Sequence, residues 1–358
     1  MIGKEIDKKN PIYIICSNVC TSLIDKLLEI EDKRADKEFE SMATQLLSCI
    51  CTLNVFCLAC PYLLVPHVTT LQPYLKPTSH KIDAILLFYT AGILENVVPL
   101  IKNPDSEFLT KLQNDLIDPL HNQGIKIVQS CIKCLCSVVF NVTFQVEILE
   151  NLLSQYYQQL LSAKSAHLKY KKTIIRSLVI TSLLYRYFDF STFNKKETTN
   201  TTKSKKFDEL LSSIIGTYIE YTNSTEEDIK VHAIEAIGNV FIRAPPLVIK
   251  LGTPLITKCL LPSTTTDIKS QILKNFSDFL TEEDARIKKR HAKEEEGVSA
   301  LSKSRINEEQ GITSILPFIN SILNLLFDKD SKVRLASLTT VNLIVRHGLF
   351  NPLEVRIT

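Results

Sequence analysis

The chain has 358 residues, enough for two or three ordinary domains or for one long array of repeats. Hydrophobic residues make up 45% of it, with only 9 Gly, which argues against glycine-rich nucleotide-binding folds and turn-dense β folds. The net charge of +3 is unevenly distributed, because residues 164–206 hold eleven Lys and Arg but only two acids. A charge distribution this uneven is evidence about which partners the protein binds and not about its fold.

Five segments share one pattern, in which a polar or flexible residue precedes an apolar run of helical period. The first starts at Gly124, and the second starts near Lys172. The third starts near Asp228, where Thr225 and Asp228 predict a capping box, and Arg243 and Pro245 end the run. Each run therefore predicts one helix.

The fourth and fifth segments have clearer apolar stripes. The fourth starts at Asp267, and its stripe is Ile268, Ile272, Leu273, Phe276 and Leu280. In the fifth, Asp330 is the predicted cap, Gly348 supplies the stop, and Pro352 prevents the helix from resuming. The apolar surface predicted between them is Val333, Ala336, Leu338, Val341, Ile344 and Val345.

The spacing of these helices indicates a repeat array. Helical-pair repeats of the HEAT and armadillo kind have a period of roughly 40–47 residues. The two longest gaps hold polar insertions at 191–205 and 292–309, and more amphipathic helices precede the runs at 124 and 330. We therefore predict an all-α, HEAT-type α-solenoid of stacked antiparallel helix pairs, a single array over 1–358, with an irregular helical bundle as the alternative.

The cysteines and the motif content predict no catalytic residue, metal or cofactor. Most of the ten cysteines lie in two apolar stretches, which indicates buried thiols of a reducing compartment. The pairs Cys57/Cys60 and Cys131/Cys134 are about 70 residues apart, whereas zinc needs thiolates that converge from nearby loops. The sequence holds no phosphate-binding glycine loop, zinc-protease motif or nucleophile elbow.

Several blocks of sequence resemble the Nipped-B (adherin) family of cohesin loaders, in the family's order from about residue 40 onward. These blocks are TLQPYL at 70–75, ILENVVPLIKNPDSEFLTKLQNDL at 93–116, VQSCIKCLCSVVFNVT at 128–143, IIRSLVITSLLYRYFDF at 174–190, IKVHAIEAIGNVFIRAP at 229–245, LKNFSDFLTEEDARI at 273–287 and GLFNP at 348–352. Ordered blocks are more specific than a HEAT pattern alone, which many scaffolds share.

The resemblance implies a non-enzymatic nuclear, chromatin-associated scaffold that promotes cohesin loading and sister chromatid cohesion. Its implied partners are cohesin, through the ATPase heads and the kleisin subunit, and double-stranded DNA without sequence preference. It also implies stimulation of cohesin's ATPase. The family's proteins are several times longer, so we expect a fragment of a longer solenoid, with the loader's partner subunit binding a region absent here. We expect no membrane partner and no small-molecule substrate.

The basic segment supplies the candidate DNA contacts, since clustered Lys and Arg neutralise phosphates and an aromatic ring can stack beside them. The candidates are Lys164, Lys169, Tyr170, Lys171, Lys172, Arg176, Lys195, Lys196, Lys203, Lys205 and Lys206. A solvated loop with no partner is the alternative. The run RIKKRH at 286–291 is flanked by acids, so we expect a solvated helix there. A generic HEAT adaptor in nuclear or vesicle transport remains the alternative function.

Overall fold

The computed structural model describes residues 8–34, 39–76, 82–164, 170–190, 201–261, 263–295 and 313–349. Within these ranges the chain forms helices and short 3-10 or π turns and no strand, so the all-α prediction is confirmed. The α-helices are α1 Pro11–Asp32, α2 Phe39–Ala59, α3 Val68–Leu71, α4 Asp83–Val97, α5 Ser106–Ile117, α6 Ile125–Val138, α7 Val146–Ala163, α8 Lys171–Tyr187, α9 Thr201–Tyr221, α10 Glu227–Arg243, α11 Thr253–Cys259, α12 Thr266–Glu295, α13 Ile319–Asn324 and α14 Ser331–Arg346. They divide into two compact units, Met1–Gln155 and Tyr156–Thr358.

In the first unit, alternate helices stack side by side. α2 packs against α4, and α4 packs against α6, while α1 pairs with α2 and α5 pairs with α6. The core between these helices includes Leu53, Leu87, Leu94 and Leu135, all fully buried. None of these helices can bury its apolar face alone, which is the physical reason that neighbours stack.

The second unit repeats this arrangement with a longer row. α8, α10, α12 and α14 pack successively side by side, and α9, α11 and α13 pack against α10, α12 and α14 respectively. All five helices predicted from the repeated pattern, α6, α8, α10, α12 and α14, are therefore members of such rows. The predicted helix pairing is confirmed in each unit.

The structure confirms some predicted helix ends and corrects another. The Asp330 carboxylate accepts a hydrogen bond from the backbone N–H of Lys332 at 2.8 Å, and Gly348 ends the helix with a φ of +66°. The capping box at Thr225 and Asp228 was wrong, because Glu226 is the N-cap residue and makes no side-chain capping bond. Asp228 lies inside the first turn, where it is free to pair with a neighbouring helix.

The predicted apolar stripe of α12 agrees with the observed burial better than that of α14 does. All five residues of the α12 stripe are buried, whereas Leu338 of α14 is 57% exposed. Ser337 and Thr340 are buried instead, and the Thr340 hydroxyl lies 3.1 Å from the carbonyl oxygen of Leu273, to which it donates. A small hydroxyl that satisfies a backbone carbonyl lets two helices approach closely, and hydropathy periodicity does not reveal such a position.

The helices extend into both predicted polar insertions. Residues 201–205 form the start of α9, and residues 292–295 form the end of α12. The remaining residues of the two insertions, 191–200 and 296–309, lie outside the described residues. The single array over 1–358 stays a prediction.

By length and composition alone, four helical segments of the described chain could cross a bilayer: Pro11–Asp32, Ser41–Ala59, Asp83–Leu100 and Ile125–Thr143. In the fold, α2, α4 and α6 use this apolar surface to pack against one another. The α1 segment is less covered, with exposed Ile12, Ile15 and Val19. The expectation of no membrane partner stays a prediction.

Candidate anion-binding surface

The structure brings part of the predicted DNA-contact set together where α7 ends and α8 begins. Lys164 follows α7, Tyr170 precedes α8, and Lys171 and Lys172 lie in the first turn of α8. Arg176 is half-buried one turn further along α8. Lys203, Lys205 and Lys206 lie in the first turns of α9, and their side chains are not described. Lys169, Lys195 and Lys196 lie outside the described residues.

Two of the predicted lysines are already paired with carboxylates. The Lys164 amine lies 2.5 Å from a Glu220 carboxylate oxygen, and the Lys171 amine lies 3.4 Å from Glu226 and also pairs with Asp228. A cation in the first turn of a helix faces the positive end of the helix dipole, so acids close to Lys171 relieve that repulsion. The bond with Asp228 raises the pKa of Lys171, and the same bond lowers the pKa of Asp228.

A third cation of the basic segment, Arg186, makes its polar contacts inside the fold. The Arg186 guanidinium is 12% exposed and lies 3.6 Å from a Glu282 carboxylate oxygen on α12. It also donates to the side-chain oxygen of Asn239 on α10 at 3.2 Å. The charge excess counted between residues 164 and 206 is therefore partly cancelled by acids from later helices. Lys172 is exposed, and its amine is in no ion pair within the part of the chain that the structure describes.

The second basic run, 286–291, lies on α12, so the predicted helix is confirmed. Arg286 pairs with Glu283, one turn before it, and donates to the carbonyl oxygen of Ile242 at 2.5 Å. Lys288 is exposed, and the side chains of Lys289 and Arg290 are not described. Arg286 thus joins two stacked helices, which sequence reasoning missed.

The structure also reveals basic residues that sequence analysis did not single out. Lys230 of α10, Lys250 of the π turn Val248–Gly252 and Lys258 of α11 all line one open hollow of about 490 Å³. A second hollow of about 470 Å³ shares the lining residues Ile219, Lys250 and Leu251 with the first, so the two hollows adjoin. We call the two hollows together the lysine groove. No Asp or Glu is among the described residues that line it.

The positive charge of the lysine groove acts on the buried thiol of Cys259. Burial raises the pKa of Cys259 to about 11, and the positive charges of Lys258 and Lys230 act in the opposite direction on that pKa. The Lys258 amine donates to the side-chain oxygen of Asn223 at 3.2 Å. Within the described chain, none of Lys230, Lys250 and Lys258 is in an ion pair, so the groove keeps its full positive charge.

No sequence signal could have located this groove. Its three lysines are separated by 20 and 8 residues in the chain and belong to three different elements. They converge only because α9, α10, α11 and the start of α12 stack together. A count of charge along the sequence therefore favoured the segment 164–206 over a cluster that is dispersed in the chain.

Cys57, Cys131 and Cys134 lie inside helices, as predicted for core thiols, whereas the prediction was wrong for Cys60, which follows the last residue of α2 and is half-buried. Cys57, Cys131 and Cys134 are buried, and burial raises the pKa of Cys57 and of Cys131 to about 12. A thiol with so high a pKa stays protonated at neutral pH, whereas zinc binding needs thiolates. Among the described residues no group of three or more His, Cys, Asp or Glu could hold a metal ion.

Comparison with known proteins identifies the family to which this helical chain belongs. No protein-family profile matches the chain. It is 30% identical to "Nipped-B-like protein B" of Danio rerio over 96% of its own length, and 28% identical to "Nipped-B-like protein" of Homo sapiens over 98%. The chain belongs to the Nipped-B family. A further relative, "Sister chromatid cohesion protein mis4" of Schizosaccharomyces pombe, is 22% identical over 92% of the chain.

The chain is short beside these relatives. It spans 12% of the Danio rerio protein, 13% of the human protein and 22% of the Schizosaccharomyces pombe protein. Because the matches cover 92–98% of the chain, they include both units of the fold.

Proposed function

We propose that this chain acts as a non-enzymatic helical scaffold of a cohesin loader in the nucleus and promotes sister chromatid cohesion on chromatin. The observation that carries the proposal is the similarity over 92–98% of the chain to Nipped-B-like proteins and to a protein named for sister chromatid cohesion. The rows of stacked helices support it, because such rows present extended surfaces to other macromolecules.

The proposed action is on a separate ATPase. In this proposal the chain contacts cohesin through the ATPase heads and the kleisin subunit, and stimulates ATP hydrolysis by cohesin without hydrolysing ATP itself. Binding energy from an extended surface can favour one conformation of a partner, provided that the scaffold binds that conformation more tightly. This is the role open to a chain whose sequence holds no nucleotide-binding motif.

Purified cohesin tests this proposal directly. The immobilised 358-residue chain is expected to retain cohesin and to raise its rate of ATP hydrolysis in the presence of duplex DNA, since the scaffold acts on the ATPase. A HEAT-repeat transport adaptor of similar length serves as the matched control and should do neither. If the chain and the adaptor behave alike in both measurements, the proposal fails, and a role as a generic adaptor takes its place.

We also propose sequence-independent DNA contact at the start of α8, where Tyr170 is 42% exposed and Lys172 is exposed beside it. Lys169 and the further basic residues up to 206 remain part of this proposal. Duplex phosphates attract clustered cations through counterion release, and the attraction falls steeply with salt. Glu226 and Asp228 weaken this surface because they hold Lys171 in ion pairs.

Neutralising those two acids should therefore strengthen DNA binding. In the double variant Glu226→Gln, Asp228→Asn, Lys171 becomes free to meet a phosphate, so the affinity for a mixed-sequence 30-bp duplex is expected to rise a few-fold at about 50 mM salt. The slope of log affinity against log salt should steepen by about 1. Electrophoretic shifts across a salt series measure both. A gain is informative, because damage to the fold would produce a loss.

Charge reversal gives the complementary measurement. The triple Lys→Glu variant at Lys169, Lys171 and Lys172 should weaken binding about equally for all duplex sequences. The matched triple at Lys288, Lys289 and Arg290 should weaken it less, because acids flank that run. A greater loss in the second triple, or no gain in the acid-neutralised variant, would move DNA contact away from the start of α8.

A further inference from the structure

We propose that the lysine groove binds an extended acidic peptide of a partner protein, one whose Asp or Glu side chains alternate with apolar side chains. The groove lies wholly in the second unit, where it is lined by residues of α8, α9, α10, the π turn Val248–Gly252, α11 and the start of α12. The proposal goes beyond the loader function and does not depend on it, because it concerns only what this surface can bind.

The unpaired charge of the groove is the first argument. Some other exposed lysines of the second unit meet carboxylates, as Lys164 meets Glu220 and Lys274 meets Glu235 at 2.9 Å. Lys230, Lys250 and Lys258 line the same concave surface, whose described lining residues include no acid. Like charges gathered in a cleft repel one another and focus the field, so an anionic ligand is the natural complement.

The chemistry of the floor is the second argument. Between the lysines the groove is lined by apolar side chains: Ile219, Leu251, Pro254, Leu255 and Ile268. A free phosphate would leave that floor uncovered, and a DNA duplex would offer it only sugars and phosphates, because protein–DNA interfaces are more polar than protein–protein ones. A peptide with acidic and apolar side chains satisfies both the lysines and the floor.

The shape and the polar rim are the third argument. The two hollows, of about 490 and 470 Å³, adjoin at Ile219, Lys250 and Leu251, and two adjoining hollows suit an extended chain better than a compact ligand. Asn223 accepts a hydrogen bond from the Lys258 amine at 3.2 Å, and Thr264 donates to the Lys258 carbonyl at 3.2 Å. These neutral partners hold Lys258 in place and leave its charge available.

Fluorescence anisotropy with labelled peptides tests the proposal on the full 358-residue chain. The probe is the peptide DLEDFEDL, and its controls are DSEDSEDS, which lacks the apolar side chains, and the charge-reversed KLKKFKKL. The groove variant is Lys230→Glu, Lys250→Glu, Lys258→Glu. Its matched control is Lys102→Glu, Lys111→Glu, Lys126→Glu, which makes the same change in charge at exposed lysines of the first unit.

The wild-type chain and the matched control are expected to bind DLEDFEDL with the same affinity and to bind both control peptides more weakly. The groove variant should lose at least about tenfold in affinity, since three exposed charge pairs are removed and reversed. A milder triple variant, Lys→Gln at the same positions, should also lose affinity, and it replaces the reversed variant if thermal unfolding shows that the latter does not fold.

Three results would overturn the inference. The first is equal affinity of the groove variant and the matched control for DLEDFEDL. The second is equal affinity of the wild-type chain for DLEDFEDL and DSEDSEDS, since the apolar floor would then have no role. The third is a loss in the groove variant confined to a 30-bp DNA duplex, which would make the groove a DNA surface. None of these measurements involves cohesin, so the loader function stands or falls separately.

Discussion

Replacing Lys269 with alanine is expected to lower the free energy of unfolding by about 3 kcal/mol, as breaking one side of a buried ion pair commonly does. The Lys269 amine lies 2.8 Å from an Asp328 carboxylate oxygen, and the two side chains are only 3% and 8% exposed. The pair joins α12 to the turn before α14, where Thr266 also donates to Asp330 at 3.0 Å. Chemical denaturation of the wild-type chain and the variant measures the loss.

The matched control removes both charges. The double variant Lys269→Met, Asp328→Leu leaves no uncompensated charge, so it should recover most of the lost stability, because apolar groups of similar size often replace a buried pair at little cost. A double variant as unstable as Lys269→Ala would mean that packing around the lysine stem, and not the ion pair, is what stabilises the α12–α14 contact.

The pH dependence of stability follows from the same pair. The bond from Lys269 and the backbone N–H of Asp330 lower the pKa of Asp328. A carboxyl whose pKa is lowered on folding contributes stability that is complete above its ordinary pKa of about 3.9 and is lost as pH falls through the lowered value. In Lys269→Ala this contribution shrinks, so the acid-induced loss of stability attributable to Asp328 should become smaller between neutral pH and about pH 3.

The fold was predictable because its signals are local. The capping carboxylate of Asp330, the left-handed Gly348 and the stripe of α12 each arise within a single helix, so a window of sequence contains them. The exposure of Leu338 was not predictable in this way. It depends on which face of α14 meets α12, and there the small hydroxyl of Thr340 occupies the contact with Leu273.

The candidate site was less predictable because its electrostatics are not local. The acids that pair with Lys164 and Lys171 lie 55 to 57 residues further along the chain, one repeat away, and a charge count over 164–206 omits them. The repeat pattern does contain a usable signal, since it places the start of α10 beside the start of α8. The lysine groove has no such signal, because it depends on the path of the π turn Val248–Gly252 that carries Lys250.

The second large effect on stability is expected where helices α10 and α12 approach each other closely. Gly238 is buried on α10, and a Cβ atom at this position would fall well inside van der Waals distance of the Asn275 side chain on α12. Asn275 cannot move away without cost, since it donates to the Ile234 carbonyl at 2.8 Å and accepts from Gln271 at 2.8 Å. Small-to-large changes at such contacts typically destabilise by about 1–3 kcal/mol.

Gly238→Ala should therefore lower the free energy of unfolding by about 1 kcal/mol, because the helix propensity of Ala offsets part of the overpacking. Gly238→Val adds more volume and a β-branch, so it should lower that free energy by about 3 kcal/mol. Gly216 of α9 is the matched control: a Cβ there meets nothing within 4 Å, and Gly216→Ala should stabilise by about 0.5–1 kcal/mol. Denaturation midpoints of the three variants test the contrast. If Gly238→Ala and Gly216→Ala stabilise alike, α10 and α12 do not approach as closely as Asn275 and Gly238 require.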